Sequence, residues 1–225
     1  MPKPKAIFSW SSGKDSAYAL HTALKEAQFE IVSLLTTVTD TYHRVSMHGV
    51  REELLDLQAK SIDIPLEKIR IPQDCTNEIY EEKMGAFLAG WKEKGVGHVV
   101  FGDIFLEDLR KYREEKLALL GMKGVFPIWK RPTEALARSM IEEGFEARLV
   151  CLDPKKLTRN FSGRPFDISL LKDLPEEIDP CGENGEFHTL AHAGPIFKKK
   201  IPIEQGETVE RDGFVFTDFY LACAD

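Results

Sequence analysis

The chain has 225 residues, 43% of them apolar and 30% charged, with a formal net charge of −7. That is enough to bury a sizeable core as one large domain or two small ones, in an ordinary soluble balance. The acidic excess disfavours a broad Lys/Arg face for nucleic acid. Cys75, Cys151, Cys181 and Cys223 lack CxxC spacing, which argues against a zinc ribbon or redox motif.

The start "MPKPKAIF" has no long apolar core of the secretory kind, and no apolar run reaches the ~20 residues that span a bilayer. The expected setting is the cytoplasm, with reduced thiols and no membrane partner. "KAIFSW" reads as a strand and Asp15–Ala27 as a helix. "FEIVSLLTTV" is β-rich, "VREELLDLQAKSI" is amphipathic, and "LEKIRIP" is a short strand. "NEIYEEKMGAFLAGWKEKG" has helical spacing, "HVVFGDI" reads as a strand, and "LEDLRKYREEKLALLG" as a charged helix. "FPIW" is a further strand candidate. "TEALARSMIEEGF" reads as a helix with Thr133 as N-cap, and "EARLVCLD" as a strand. Prolines and glycines then break the chain, and "KKKIPIEQGETVERDGFVFTDFYLACA" reads as strands joined by turns. The alternation predicts an α/β fold: a doubly wound, mostly parallel sheet over residues 1–128, then a smaller α+β domain over 129–225.

"SWSSGKDSAYAL" joins the first strand to the first helix. Gly13 permits a tight turn, Lys14 offers a point charge, and the helix N-terminus offers unpaired N–H groups. Together they predict an anion site beyond the carboxyl end of the strand. Asp15 fits there as a helix cap or as a Mg²⁺ ligand beside phosphates. Spacing excludes a Walker A loop, which needs glycine at Phe8, and a GxSxG elbow, which needs glycine at Ser9. A plain turn with a surface lysine is the competing reading.

"SSGKDS" resembles the SGGKDS loop of the PP-loop ATP pyrophosphatases, with Ser12 where that family usually has glycine. The resemblance implies ATP, gripped at its outer phosphates while its α-phosphate is attacked.

Gly102 and Asp103 stand at the carboxyl end of the "HVVFGDI" strand, where an open sheet lines its ligand crevice. Arg110 and Glu114 share a helix face, while Lys111, Arg113 and Glu115 read as solvated. "DPCGENGEFHT" packs Asp179, Cys181, Glu183, Asn184, Glu186, His188 and Thr189 around two glycines. HExxH, EF-hand and zinc spacings all fail there, and Cys181 has no base beside it, so a polar substrate loop is the better reading. His48 in "VSMHGV" is a candidate nucleotide contact.

"SSGKDS", "MHGV", "GDI" with Arg110 and Glu114, "FSGR" and "DPCGENGEFHT" occur in the order seen in the diphthine–ammonia ligase family, which the chain resembles along nearly its whole length. The resemblance implies an ATP-dependent ligase that adenylates a carboxylate and transfers ammonia, releasing AMP and pyrophosphate. It implies ATP with Mg²⁺, ammonium, and diphthine on elongation factor 2 where the host makes diphthamide, or a small-molecule carboxylate otherwise. Ser11, Ser12, Gly13, Lys14, Asp15 and Ser16 are then expected at the phosphates, and His48, Gly102, Asp103 and Arg110 at the nucleotide crevice. Glu183, Asn184, Glu186, His188 and Thr189 are expected on the acceptor side. Lys14, Asp15, Asp103, Glu183 and Glu186 are the candidate catalytic groups. Residue types do not choose among the carboxylates for a proton acceptor, and a homo-oligomer is left open. A tRNA-modifying PP-loop enzyme and a nucleotide-binding protein without chemistry are the alternatives.

Overall fold

The computed structural model describes residues 2–222. Cys223 and Ala224, at the end of the last expected strand, lie outside them. Strand β1 (Lys5–Ser9) alternates its faces. Ala6 and Phe8 enter one hydrophobic cluster and Ile7 the other. Helix α1 (Lys14–Glu26) buries Leu20 and the small side chains of Ala17, Ala19 and Ala23. Strand β2 (Glu30–Thr39) follows, then the short β3 (Arg44–Val45). Helix α2 (Glu52–Ile62) buries Leu54, Leu55, Gln58, Ala59 and Ile62, the spacing of one helical face. Then come β4 (Leu66–Ile71), α3 (Asn77–Glu93), β5 (Val96–Val100), α4 (Glu107–Leu119) and β6 (Lys123–Val125).

Strands β4, β2, β1, β5 and β6 lie side by side and parallel, and β3 pairs antiparallel with the upper end of β2. The chain winds outward from β1 through β2 to β4, then returns to β5 on the other side of β1. The direction of winding therefore reverses between β1 and β5, and a crevice opens beyond their carboxyl ends.

The remainder holds α5 (Thr133–Glu142), β7 (Glu146–Leu152), α6 (Ile168–Asp173), β8 (Phe187–Ala193), β9 (Ile203–Arg211) and β10 (Phe214–Leu221). Its sheet has the order β8–β7–β10–β9, antiparallel throughout. The two sheets share a core, in which Phe8, Leu34 and Leu54 join the same cluster as Leu149, Phe187 and Leu190. No helix among the described residues is long and apolar enough to cross a membrane.

Some local expectations need correction. Residues 126–129 form a turn: Pro127 interrupts pairing, the Trp129 N–H bonds back to the Phe126 carbonyl at 3.2 Å, and both rings pack on Arg110. The strand is β6, just before them. Pro132 is the N-cap of α5 and Thr133 its first residue. Gly13, not Asp15, is the N-cap of α1.

A charge cluster clamps β10 to the start of α2. Asp218 accepts from Arg51 Nη2 at 2.6 Å and from Arg44 Nη1 at 2.8 Å. Burial pushes the Asp218 carboxyl up, but the Arg51 and Arg44 hydrogen bonds outweigh it and hold the group at about 2. A depressed native pKa stabilises the fold above the unfolded value near ~3.9, and that stability is lost as pH falls toward 2. Both arginines are partly solvated, so Asp218→Asn is expected to cost only about 1–2 kcal/mol at neutral pH. Urea unfolding from pH 7 to pH 2 checks this, since the two proteins should converge at the acid end.

Candidate active site

The loop between β1 and α1 is tied to the edge of the second sheet. The Ala191 N–H donates to the Ser12 carbonyl at 2.9 Å, and Thr189 Oγ1 accepts from the Lys14 N–H at 3.0 Å. Gln58, fully buried on α2, completes the tie. Its Oε1 accepts from the Trp10 indole at 3.0 Å, and its Nε2 donates to the Ser12 carbonyl at 2.9 Å and the Ala191 carbonyl at 2.6 Å. Ser12 is held at φ 70°, in the left-handed region, with its hydroxyl buried and unpartnered. Glycine would adopt that backbone without strain, the physical reason for glycine at this point of the resembling loop.

Tied in this way, the loop faces a cavity of about 370 Å³ at the crevice between β1 and β5. Ser11, Asp15 and Ser16 form one wall, and Gly102 and Asp103 another. A Cβ on Gly102 would come within 3.0 Å of the Ser16 backbone, so only glycine lets the end of β5 touch the first turn of α1. The Ser11 and Ser16 hydroxyls bond each other at 3.0 Å, and Ser16 is fixed to the Gly13 carbonyl. Hydroxyls and a helix N-terminus at one end of a cavity suit an anion.

His48 and His188 line the cavity stacked, with ring centroids 4.4 Å apart. Burial, with the nearby positive charge of Lys14, pushes His188 down to about 4; burial, then His188, takes His48 well below the ordinary imidazole range. Both rings are neutral at neutral pH.

Lys14 departs from expectation. Its side chain is 1% exposed and lies behind the loop, outside the cavity lining. The ammonium donates to Asp15 Oδ2 at 2.9 Å and to the Cys181 carbonyl, between the Phe166 and Phe187 rings. Burial opposes its charge, but Asp15 and its neighbours outweigh burial and the pKa is raised. Lys14 therefore joins α1 to the "DPCGENGEFHT" segment rather than reaching into the cavity.

The cavity carries three carboxylates. Asp15 is paired with Lys14, and Asp103 Oδ2 contacts Arg113 Nε at 2.7 Å. Glu183 Oε1 accepts the Ile104 N–H at 2.7 Å, and no cation is paired with it among the described residues. Burial pushes Glu183 up to about 7, with Asp15 and Asp103 adding to the effect and the Ile104 hydrogen bond offsetting part of it.

The structure thus gathers Ser11, Asp15, Ser16, His48, Gly102, Asp103, Glu183, His188 and Thr189 around one cavity. It leaves out Arg110, which pairs with Glu114 at 2.9 Å and packs on Phe126 and Trp129. Ser12 and Gly13 turn their backbone toward β8. Glu186 is buried and turned to its own segment, accepting from the Asp179 N–H and the Asn184 side chain. Arg113, expected to be solvated, lines the cavity with its guanidinium over the Phe101 ring at 4.4 Å. The signal was present: Leu106, Leu109 and Arg113 follow one helical face, and Arg110 lies beside it. Gln58 had none, because a lone Gln on an amphipathic helix reads as solvated.

A divalent cation suits Asp15 in one respect. Its Oδ1 is buried without a hydrogen-bond partner, and Mg²⁺ is commonly held by one or two carboxylates together with substrate phosphates. No cluster of three metal-ligating side chains exists among the described residues.

Gln58→Ala is expected to cost about 3 kcal/mol, because it strands the Trp10 indole N–H and the Ala191 carbonyl and removes one of the two bonds to the Ser12 carbonyl; chemical denaturation measures this. Ser12→Gly should gain roughly 1 kcal/mol, relief of strain and of a buried hydroxyl outweighing backbone entropy. An unchanged or lower melting temperature would contradict that expectation.

A family model for the diphthamide synthase N-terminal domain matches residues 4–124, and one for the C-terminal domain matches residues 132–219. Relatives named diphthine–ammonia ligase align along most of the chain. The Rattus norvegicus protein is 28% identical, with 88% of this chain and 82% of that protein covered. The Homo sapiens protein is also 28% identical, with 88% and 82% covered. In Schizosaccharomyces pombe the relative is 26% identical, and 89% of this chain spans only 36% of that protein. The solved U34-tRNA thiolase NcsA of Methanococcus maripaludis aligns with 63% of this chain and 57% of its own, at 18% identity and a TM-score of 0.36, too slight a likeness to carry weight. With both of its halves matched in order, the chain belongs to the diphthamide synthase family.

Proposed function

We propose that the protein is an ATP-dependent ligase that joins ammonia to a carboxylate, and that the acceptor is the diphthine of elongation factor 2. Its relatives bear the name diphthine–ammonia ligase. The single observation that carries the reading is the juxtaposition, in one cavity, of the first turn of α1 with Glu183 and His188 from the other end of the chain. One end suits phosphates, and the other faces them with acid and imidazole groups.

A carboxylate is a poor electrophile. Attack of its oxygen on the α-phosphorus of ATP forms an acyl adenylate and releases pyrophosphate. Ammonia then displaces AMP and forms the amide. In this reading the Ser11 and Ser16 hydroxyls and the α1 N-terminus hold the outer phosphates. Asp15 would hold Mg²⁺, which when bound neutralises phosphate charge. Arg113 is the cation that lines the cavity, so it faces the acceptor carboxylate or the α-phosphate. Lys14 acts from behind as a fixed charge. Holding both anions in line is worth several kcal/mol, since oriented reactions gain roughly 7–11. We further propose that the chain divides near residue 128 into a nucleotide-binding unit and an acceptor-binding one.

With ATP, ammonium and diphthine-bearing elongation factor 2, AMP and pyrophosphate should appear in step with the amide. Asp15→Asn should lower that rate about 10²–10³-fold while the protein still melts cooperatively. AMP release that ignores the acceptor, or that is untouched by Asp15→Asn, would contradict the reading. A small carboxylate replacing the protein acceptor would redirect it to a metabolite, and a salt-dependent tRNA complex would redirect it to RNA.

A further inference from the structure

We propose that the Glu183 carboxylate receives the proton of ammonium and so delivers ammonia to the activated acyl carbon. This deepens the ligase reading and rests on it. Ammonium is a cation without a lone pair. It must be attracted as a cation and then deprotonated, and one group can do both only if it is a carboxylate not already paired.

The cavity offers three candidates, and geometry separates them. Asp15 is occupied by Lys14 at 2.9 Å, and Asp103 by Arg113 at 2.7 Å. Burial pushes the Asp15 carboxyl up despite Lys14, but each of these two carboxylates already has a cation against it and so is not the unpaired group that attracts ammonium. Glu183 has only a backbone N–H on Oε1, so Oε2 is left for the cavity. The Ile104 hydrogen bond fixes the carboxylate and supplies no proton to the reaction. The segment's other carboxylates are engaged within it: Glu186 accepts from the Asp179 N–H and the Asn184 side chain, and Asp179 accepts from the Glu183 N–H.

The surroundings set the basicity. Asp15 and Lys14 of α1 and Asp103 beyond β5 act on Glu183. Arg113, His48 and His188 line the same cavity, and Asp179 of its own segment accepts the Glu183 N–H. Burial and the two aspartates bring Glu183 to about 7, with Lys14 pulling weakly the other way. A group poised near working pH is an effective proton acceptor. The two imidazoles are pushed down and compete little with ammonium for the negative pocket.

The step balances. An N–H bond of ammonium breaks, and its proton forms an O–H bond on Glu183. The ammonia lone pair forms the C–N bond at the acyl carbon, and the C–O bond to AMP breaks with its electrons. The surplus proton on the new amide nitrogen leaves to solvent, as does the one on Glu183.

The test compares two nucleophiles. Hydroxylamine is largely uncharged at neutral pH and attacks acyl adenylates without prior deprotonation. Glu183→Gln keeps an acceptor for the Ile104 N–H and loses the base. Amide formation with ammonium should fall about 10²–10⁴-fold, and hydroxamate formation with hydroxylamine by less than about tenfold. The rise of the ammonium rate with pH through about 7 in the wild type should also disappear. Should Glu183→Gln fold poorly, Glu183→Ala should recover ammonium-dependent turnover on addition of formate. Equal losses with both nucleophiles, an unchanged ammonium rate, or no formate recovery would overturn the assignment. Carboxylate-dependent exchange of pyrophosphate into ATP by the wild type tests the ligase reading separately, and its absence would remove that reading rather than the role of Glu183 within it.

Discussion

The contact on which the rest depends is the one between the loop after β1 and the outer edge of β8. An edge strand exposes unpaired N–H and C=O groups that must find partners. Here the loop supplies them: Ser12 takes the Ala191 N–H, Thr189 takes the Lys14 N–H, and Gln58 bridges Ser12, Ala191 and Trp10. The tie fixes the start of α1 in space, and it places Thr189 and His188 beside that start. Two stretches 175 residues apart in sequence thereby share one cavity. The tie also has a cost, the left-handed backbone at Ser12, offset by the hydrogen bonds it permits.

Charge is arranged around that frame in layers. Behind the loop the Lys14 ammonium is enclosed by Asp15, the Cys181 carbonyl and two aromatic rings. In front, the cavity is acidic, with Arg113 as its lining cation. An acidic cavity repels a nucleotide until cations accompany it, and it attracts ammonium. Three carboxylates in similar positions acquire different chemistry because two have cationic partners and one has a backbone N–H. The neutral imidazole stack adds polar surface without adding charge.

Much of this was legible from the chain. The strand–helix alternation before residue 128 follows from apolar periodicity, and that periodicity gave the parallel sheet. Gly13 marked the turn before α1, and Gly102 with Asp103 marked the crevice end of the β5 strand. The unusual density of polar types around Gly182 and Gly185 marked the second wall. What was not legible depends on long-range contact. Lys14 looked like a phosphate ligand because its burial is created by Phe166 and Phe187, far along the chain. Arg110 was favoured over Arg113 because the charge pattern shows which residues share a helix face but not which face meets the crevice. Gln58 was silent, since its partners lie in the loop after β1 and on β8, both far from it in sequence. The turn at residues 126–129 looked like a strand because its aromatic residues, which serve to hold Arg110, also suit a strand.

The central claim is that this cavity joins an acceptor carboxylate directly to the α-phosphorus of ATP. The most direct measurement uses an acceptor whose carboxylate carries heavy oxygen, followed by mass analysis of the released nucleotide. The account predicts AMP bearing one labelled oxygen for each amide formed. Unlabelled AMP, or ADP with labelled phosphate, would contradict it.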